Sequence, residues 1–295
     1  MELSLVLLGA GKGSRFGGLK QLKCFGPQEA TLAEFAIYDA WQNGFRHFVA
    51  VVSPETRAGF ESIFRHLHIE NCSVCVEQQL SDLPVSLPET VLSQRLKPWG
   101  TAHALWCARR YVKTPFVVIN GDDFYGRNAY ALARKFFEKH EALGLVSYPL
   151  GKTLSDNGYV SRGICGVEAG KLSNICEYLN IERKGDKIVS EGRCFDEDQP
   201  TSMNFWMLQP SIFEHLNRIL ENFVQSYGSD PKREIYLPTS ILEVAQSAHV
   251  PIHCFQNTQD QWMGVTYTAD VEHLNQSLAK LTDRQCYPSS LVFDC

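Results

Sequence analysis

The stretch that decides the fold of this chain is LVLLGAGKGSRFGGLKQL, from Leu5 to Leu22. Its apolar start predicts a buried strand, and the turn that follows contains five glycines, an arginine and two lysines. Glycines let a backbone approach a ligand closely, and successive N–H groups can hold an anion. Arg15, Lys20 and Lys23 add positive charge. The stretch therefore predicts a phosphate-binding turn, and the alternative is a glycine-rich turn with surface cations.

Two common phosphate loops do not fit this turn. The dinucleotide fingerprint G-x-G-x-x-G would need a glycine where Ser14 stands, and an acidic residue at the end of the next strand, which runs into Ser53 instead. The Walker A pattern G-x-x-x-x-G-K-[ST] would need lysine where Leu19 follows Gly18. The ligand must therefore be held in a different way.

Strand and helix patterns alternate through the first half of the chain. Strands are predicted at 3–9, 45–53, 73–79, 115–121 and 143–150, and helices at 32–44, 54–67, 101–112 and 128–141. Residues 81–100 contain three prolines and no clean period, which predicts a loop. This alternation is typical of an α/β fold with a mainly parallel sheet and helices on both faces.

The pattern changes at about residue 158. Short strands with glycine-centred turns predict a mixed or antiparallel, β-rich addition. Helices are predicted again at 210–225, 236–248 and 268–282, and strands at 251–256 and 262–267. The tail from Tyr287 has no clear pattern. We expect one compact α/β unit with an accessory half rather than two independent domains.

Composition excludes several classes of protein. The 295 residues are 44% hydrophobic and carry a net charge of −5, without a basic run, so a nucleic-acid binder is not expected. No apolar run approaches the ~20 residues of a membrane span. Ten scattered cysteines without a leader peptide favour the reducing cytoplasm. The oligomeric state is not predicted.

A second motif carries carboxylates. Asp122 and Asp123 follow an apolar strand in VVINGDDFYG, residues 117–126. Open α/β sheets bind ligands at the carboxyl ends of their strands, and Mg²⁺ prefers oxygen ligands and bridges phosphates. The motif therefore predicts a magnesium site at one or both of these carboxylates. A turn with two solvated aspartates is the alternative.

Together these motifs resemble the sugar-phosphate nucleotidyltransferases, which make nucleoside-diphosphate sugars. GAGKGSRFGGLKQL is similar to their glycine-rich signature, although Gly17-Gly18 replaces a proline-containing insert. The resemblance implies a Rossmann-like α/β domain, a nucleoside triphosphate held at Leu8, Gly9 and Gly11, and stabilisation of the leaving pyrophosphate by Arg15 and Lys20. It further implies a nucleotide-binding half, residues 1–150, and an acceptor-binding half, residues 151–295.

Later stretches extend the resemblance. KPWGTAHALWCA resembles a segment of bacterial N-acetylglucosamine-1-phosphate uridylyltransferases, which implies that Gly100 and Thr101 lie against the base. The Gly-Asp step of the family binds Mg²⁺, which implies this role for Asp122. REIYLPTSILEVAQ, residues 233–246, also matches and is expected to be structural.

The sugar-binding hairpin of the family resembles residues 157–182 and implies sugar contacts at Gly158 and Glu177. The chain continues with EYLNIE and lacks the lysine that usually follows this glutamate. In TSMNFWML, Ser202 stands where the family has asparagine, and Asn204 lies on the same strand face and can replace it. Both residues could also be polar positions at a sheet edge.

Two roles stay open at this point. Thr266 occupies the place of the second metal ligand, and a hydroxyl is a poor magnesium ligand beside a carboxylate. Asp270 is the alternative ligand, although it would also suit the start of a helix. Arg95 stands at the offset of the base-reading glutamine, with Gln78, Gln79 and Gln94 as alternatives.

The resemblance implies transfer of a nucleoside monophosphate, with UTP or dTTP and a sugar-1-phosphate as the first expectation. The nucleophile is already an anion, so the reaction needs positioning and charge stabilisation rather than a general base. The alternatives are a cytidylyltransferase for phosphocholine or a polyol phosphate, a glycosyltransferase, and a nucleotide-binding regulator without turnover. The glycine-rich loop argues against the glycosyltransferase, whose donor has already lost pyrophosphate.

Overall fold

The structure is a computed structural model that describes residues 1–11, 20–265 and 267–293, and only the backbone of Lys20. The strands of this part of the chain are β1 Leu3–Gly9, β2 Cys24–Phe25, β3 Ala30–Thr31, β4 Phe45–Val52, β5 Ser73–Glu77, β6 Phe116–Asn120, β7 Asp123–Phe124, β8 Leu143–Pro149, β9 Val160–Glu168, β10 Lys171–Lys184, β11 Lys187–Ser190, β12 Arg193–Phe195, β13 Pro200–Leu208, β14 Ile252–Gln256 and β15 Met263–Gly264. The helices are α1 Leu32–Gln42, α2 Pro54–His66, α3 Glu89–Leu92, α4 Thr101–Cys107, α5 Arg127–Phe137, α6 Ile212–Tyr227, α7 Leu237–Ala248 and α8 Asp270–Asp283.

The two helices that follow β1 and β4 begin at side-chain caps. Thr31 accepts a hydrogen bond from the backbone N–H of Glu34, whose carboxylate bonds back to Thr31, so α1 starts with a capping box. The hydroxyl of Ser53 caps α2, and Pro54 occupies the first helical position, where no N–H is needed. These signals explain why both starts are predictable from the sequence.

The central sheet has the strand order β5-β4-β1-β6-β13-β8-β14. The strands β5, β4, β1 and β6 are parallel, and β13 is antiparallel to its neighbours β6 and β8. Because β14 is parallel to β8, every strand of this order except β13 runs in the same direction. The predicted fold class, a Rossmann-like mixed and mainly parallel sheet flanked by helices, is confirmed.

The accessory part extends the same sheet. Strand β10 is antiparallel to β14 and continues into β11 and β12, while β9 pairs with both β10 and β13. This is the antiparallel addition expected after residue 158. The sheet thus joins strands from both halves of the chain, and the division of labour between residues 1–150 and 151–295 stays a prediction.

Alternation along β1 fills two hydrophobic layers. Leu3, Leu5 and Leu7 pack in the layer that contains α1, α2 and α5, whereas Val6 and Leu8 pack in the layer that contains α4, α6 and α7. A strand whose two faces are both buried needs a nearly continuous apolar sequence, as in LSLVLLG, where the hydroxyl of the buried Ser4 is hydrogen-bonded to that of Thr114. Helices therefore cover both faces, and the carboxyl end of β1 opens towards the glycine-rich turn.

The tail belongs to the first layer. Phe293 stacks on Trp41 with ring centroids 4.6 Å apart, and the hydroxyl of Tyr287 donates to the buried carboxylate of Asp39 at 2.6 Å. Residues 287–293 therefore cover one face of α1. Several boundaries differ from expectation: residues 81–100 include the short α3, the helices predicted to end at 112 and 141 end at Cys107 and Phe137, and the strand predicted at 262–267 is only β15. In the described part of the chain, no helix is long and apolar enough to cross a membrane.

Candidate active site

The carboxyl ends of β1 and β6 form the edge at which the predicted residues meet. Leu8 lies opposite Asn120 in the parallel pair, and the N–H of Gly121 donates to the carbonyl oxygen of Leu8 at 2.9 Å. The turn that carries Asp122 is therefore fixed beside the end of β1, which leads directly into the glycine-rich turn. This is the edge where open α/β sheets bind ligands.

A chain of hydrogen bonds joins β6 to β13. Asn120 donates from Nδ2 to Asp123 at 2.9 Å, and its Oδ1 accepts from Nδ2 of Asn204 at 2.7 Å. Trp206 in turn donates to Oδ1 of Asn204 at 2.9 Å. Asn204 adopts a φ of 65° at an irregularity in the pairing of β13 with β8, a conformation that asparagine tolerates well. The bulge turns its amide towards the aspartate turn.

A cavity of about 770 Å³ opens at this edge. Five residues that the sequence assigns to the site line it together, although they come from four distant stretches: Thr101, Asp122, Glu177, Ser202 and Asn204. Asp123 and Asn120 line it as well. The same cavity thus receives the candidate metal ligand and most of the candidate acceptor contacts.

Gly163 lies in the lining of the cavity, whereas Gly158, the predicted sugar contact, does not. Gly163 lines the cavity and pairs with Glu177 across β9 and β10, where an added Cβ would lie 2.9 Å from Ile175. Gly158 is outside the lining and packs against the ring of Tyr267 instead. Both glycines belong to the sequence GYVSRG. Only Gly163 pairs with Glu177, and this pairing is known only from the strand register.

Arg162 is a site residue that sequence reasoning missed. It lines the cavity beside Gly163, lies over the ring of Trp262 with its guanidinium carbon 5.0 Å from the centroid, and donates hydrogen bonds to the carbonyl oxygens of Thr153 and Ser161. Burial lowers its pKa to about 10, and the carboxylates of Asp123, Glu177 and Asp270 oppose that shift. The arginine therefore stays charged, and it is the only cation among the lining residues that the structure describes.

Glu177 and Arg162 are neighbours in the pairing of β9 with β10. Partial withdrawal of the carboxyl group of Glu177 from water raises its pKa, and the charge of Arg162 counteracts this. Glu177 lies opposite Gly163 and Arg162 lies opposite Tyr178, so the two side chains leave opposite faces of the strand pair.

The start of α4 is bonded mainly to protein groups. Gly100 has a φ of 107° and approaches Ile235 so closely that a Cβ would lie 2.3 Å from its carbonyl oxygen. The N–H of Ala102 donates to Ile235 at 3.2 Å, and the hydroxyl of Thr101 accepts from the N–H of Leu237 at 2.9 Å. Gly100 and Thr101 therefore connect α4 to α7, and their predicted contact with a base remains a prediction.

His103 and Gln78 form a buried pair behind this helix start. His103 donates from Nε2 to the carbonyl oxygen of Asp82 at 2.7 Å, and its Nδ1 accepts from Nε2 of Gln78 at 3.2 Å. Burial lowers the pKa of His103 to about 4, so the ring is neutral. Gln78 also donates to the carbonyl oxygen of Gly100 at 3.0 Å, which places this glutamine next to the predicted base contact.

Arg95, which stands at the offset of the base-reading glutamine, is bonded within the protein. Its guanidinium donates to the carbonyl oxygens of Lys97, Asp230 and Arg233 and lies 3.5 Å from the ring centroid of Trp99. Burial accordingly lowers its pKa. The arginine holds the 81–100 segment against the residues before α7.

Asp270 lines a different cavity from Asp122. Its carboxylate accepts from Ser155 at 2.7 Å, from Asn157 at 2.8 Å and from the N–H of Tyr267 at 2.7 Å, at the start of α8. This smaller cavity of about 210 Å³ shares Arg162 and Trp262 with the larger one. The geometry fits the helix-start role of Asp270, and its metal role stays a prediction. Thr266 lies outside the described residues.

The glycine-rich turn is only partly described. Gly9 closes β1, and a Cβ there would lie 2.4 Å from the ring of Phe60, so glycine is required for packing against α2. Gln21 donates to the carbonyl oxygen of Gly11 at 2.6 Å. Arg15 and the side chain of Lys20 lie outside the described residues, and their roles stay predictions.

Comparison with known proteins defines the class. The family model for nucleotidyl transferases matches residues 4–178, more than half of the chain and the part that contains the glycine-rich turn, the aspartate turn and Glu177. The chain therefore belongs to the nucleotidyl transferase family. No curated protein matches the chain significantly.

Solved structures share the fold at low identity. The inositol-1-phosphate CTP transferase from T. maritima has a TM-score of 0.65 and 17% identity over 96% of either chain. A Bacillus anthracis structure in complex with sucrose, described as a glucose-1-phosphate thymidylyltransferase, has a TM-score of 0.60 and 12% identity over 94% of this chain and 95% of its own. A UDP-glucose pyrophosphorylase complexed with UDP-glucose has a TM-score of 0.57 and 15% identity over 97% of this chain and 100% of its own.

Proposed function

We propose that this protein transfers a nucleoside monophosphate from a nucleoside triphosphate to a sugar-1-phosphate in the cytoplasm and releases pyrophosphate. The observation that carries the proposal is the convergence of Asp122, Glu177, Ser202 and Asn204 on one cavity, next to the end of β1. Family membership supports the class of reaction, and the cavity supplies a place for the acceptor beside the predicted triphosphate loop.

The residues at the aspartate turn fit Mg²⁺. Asp122 and Asp123 present carboxylates at the carboxyl end of β6, and no group of three potential ligand side chains occurs in the described ranges. Mg²⁺ is commonly held by one or two carboxylates together with substrate phosphates and water. Asp122 is the proposed protein ligand, with Asp123 behind it. When bound, the ion would neutralise charge on the reacting phosphates.

The proposed reaction needs no general base. An oxygen of the acceptor phosphate attacks the α-phosphorus of the triphosphate, and the bond from that phosphorus to the bridging oxygen breaks as pyrophosphate leaves. Since the nucleophile is an anion, the protein contributes orientation and charge stabilisation. We assign the acceptor phosphate to Arg162, the one cation among the described residues of the cavity lining, while Glu177, Ser202 and Asn204 can bond the hydroxyl groups of the acceptor.

The pyrophosphate side of the reaction is assigned to the glycine-rich turn. Arg15 and Lys20 would stabilise the charge that grows on the leaving group, because guanidinium and ammonium groups bind phosphate oxygens strongly. Gly9 and Gly11 would allow the triphosphate to approach the backbone. The base would lie near Gly100, with Gln78 as the candidate that reads it.

UTP or dTTP with a hexose-1-phosphate is the first substrate pair. Transfer of a cytidylyl group to a polyol phosphate or phosphocholine is the second, because the inositol-1-phosphate CTP transferase matches the chain over its whole length. A nucleotide-binding regulator without turnover is the remaining alternative.

A pyrophosphate-release assay tests the proposal. Each of the common nucleoside triphosphates is combined with sugar-1-phosphates, inositol-1-phosphate and phosphocholine in the presence of Mg²⁺. We expect release with UTP or dTTP and one sugar-1-phosphate, and its loss in Asp122→Asn and Lys20→Ala but not in Asp186→Asn, an exposed aspartate remote from the cavity. Release only with CTP and a non-sugar acceptor would establish the second function. Triphosphate binding without release from any pair would overturn both.

A further inference from the structure

We propose that the tail, residues 287–293, holds the aspartate turn, residues 121–126, from outside the cavity, and that Tyr287 is the positioning residue through which it acts. The proposal rests on the proposed function, because it concerns the geometry of the carboxylate assigned to Mg²⁺. Tyr287 is not among the described residues that line the 770 Å³ cavity, so its effect must pass through β7.

The sheet by itself fixes only the beginning of the aspartate turn. The N–H of Gly121 donates to the carbonyl oxygen of Leu8 at 2.9 Å. After Asp122 the chain forms β7, which consists of Asp123 and Phe124 and pairs with the equally short β15. A two-stranded ladder of this length has little stability of its own. The far end of the turn must therefore be fixed by side-chain packing.

Phe124 is anchored in a cluster of three aromatic rings. It is 3% exposed and packs edge-on against Phe35 of α1, with ring centroids 5.9 Å apart. Tyr287 completes the triangle, because its ring centroid lies 6.0 Å from that of Phe124 and 5.2 Å from that of Phe35, again edge to face. Such contacts depend on the distance and the orientation of the rings. The position of Phe124 therefore depends on where Tyr287 lies.

A buried carboxylate fixes the position of Tyr287. The hydroxyl of Tyr287 donates to Asp39 at 2.6 Å, and Asp39 is 1% exposed. Arg127, the first residue of α5, donates from Nε to the same carboxylate at 3.3 Å and from Nη2 to the carbonyl oxygen of Cys286 at 2.6 Å. A buried charge is costly unless it is paired and hydrogen-bonded. The tail is thus bonded both to α1 and to the residue that follows the aspartate turn.

The outer part of the tail has different contacts. Phe293 stacks on Trp41 and on Tyr38, with centroids 4.6 Å and 5.8 Å away, and both of these residues belong to α1. Leu291 is buried in the same hydrophobic layer. These residues cover α1, whereas the ring of Tyr287 reaches β7. Coverage of α1 and positioning of the aspartate turn can therefore be separated by substitution.

Two alanine variants make this separation. Tyr287→Ala and Phe293→Ala each remove one buried ring of the tail, and both should lower the midpoint of urea unfolding. Only Tyr287→Ala should lower kcat for pyrophosphate release by about tenfold or more, because a displacement of about 1 Å can cost about 100-fold in rate. It should also raise the Mg²⁺ concentration that gives half the maximal rate. Equal losses of kcat in both variants, or no loss in Tyr287→Ala, would overturn the proposal.

A second pair of variants keeps the proposal testable if Tyr287→Ala does not fold. Tyr287→Phe retains the ring against Phe124 and loses only the hydrogen bond to Asp39. Tyr287→Leu is apolar as well but has no ring. We expect Tyr287→Phe to keep most of the kcat of the unmodified protein and Tyr287→Leu to lose it. If the two variants were equally active, the contact between the rings would not position the turn.

Binding of Mn²⁺ provides a readout that does not need turnover. Mn²⁺ prefers oxygen ligands, as Mg²⁺ does, and water-proton relaxation reports its binding to the protein together with UTP or CTP. The dissociation constant should rise several-fold in Tyr287→Leu and stay unchanged in Tyr287→Phe and Phe293→Ala. Equal affinity in all of these variants, or no Mn²⁺ binding by the unmodified protein, would overturn the proposal. A dependence on Tyr287 in a protein that turns over no substrate pair would support it and remove only the proposed function.

Discussion

The start of α4 and the end of β6 reach the same cavity, but their polar groups have different partners. At α4, the carbonyl oxygen of Gly100, the hydroxyl of Thr101 and both ring nitrogens of His103 bond to other parts of the protein. At β6, Asp122 belongs to the cavity lining. The structure therefore shows the polar groups at the start of α4 bonded within the protein and Asp122 in the cavity lining, and the ligand contacts predicted for both motifs stay predictions.

The largest expected effect lies at β6. Asp122→Asn keeps the shape of the turn but removes a negative charge, and kcat/KM for pyrophosphate release should fall on the order of 10³-fold, because a metal contributes several kcal/mol to charge stabilisation. The midpoint of urea unfolding should stay within experimental error. If Asp122→Asn were as active as the control variant Asp186→Asn, the distinction drawn between β6 and α4 would be wrong.

The opposite result is expected at α4. His103 is fully buried, so His103→Ala creates a cavity and leaves Gln78 and the carbonyl oxygen of Asp82 without this partner. The free energy of unfolding should fall by about 2–4 kcal/mol, as measured by urea denaturation. A stable His103→Ala protein that has lost activity would instead place His103 in the reaction.

Arg162 tests whether the acceptor side behaves like β6. Arg162→Met preserves much of the side-chain volume over Trp262 but removes the charge. KM for the acceptor phosphate should rise about tenfold or more, because this factor corresponds to the free energy of one charge-assisted hydrogen bond. KM for the triphosphate should change little. Arg218→Met, at an exposed position of α6, is the matched control. A rise in the triphosphate KM alone would assign Arg162 to the other substrate.

A pH titration sharpens the structural role of His103. Its pKa is about 4 in the folded protein, below the ordinary value of 6.5 that applies to the unfolded chain. The unfolded chain therefore binds a proton first as the pH falls, and the stabilisation present above pH 6.5 is lost towards pH 4. The difference in unfolding free energy between the unmodified protein and His103→Ala should narrow on acidification, by at most about 1.4 kcal/mol per pH unit. If the difference between the two unfolding free energies stayed constant from pH 7.5 to 4.5, the lowered pKa of His103 would not be the source of this pH dependence.

The smallest effect is expected at α8. Asp270→Asn weakens the bonds to Ser155, Asn157 and Tyr267 and should cost about 1 kcal/mol of stability, with less than a threefold change in kcat/KM. Denaturation and kinetics on the same preparation check both numbers. A loss of activity comparable to that of Asp122→Asn would restore Asp270 as a metal ligand.

Local signals explain what the sequence could predict of the fold. Each of these signals depends on neighbouring residues only. They are the apolar run of β1, the caps at Thr31 and Ser53 and the proline at the start of α2. Asp122 could be placed because a carboxylate after a buried strand has a fixed position relative to the sheet edge. These features need no knowledge of tertiary contacts.

The features that the sequence could not reveal depend on distant contacts. Gly163 lies opposite Glu177 because of strand register, and Arg162 lies beside it because β9 pairs with β10. Arg95 has a plausible spacing for base recognition but bonds to residues more than a hundred positions away. The partners of Asp270 at Ser155 and Asn157 are just as distant in sequence.

The tail on α1 has a consequence for synthesis on the ribosome. Tyr38 and Trp41 are translated early, but the rings that cover them, Tyr287 and Phe293, emerge some 250 residues later. During that interval the nascent chain exposes an aromatic face. This face of α1 is therefore completed only after its last-made residues have been synthesised.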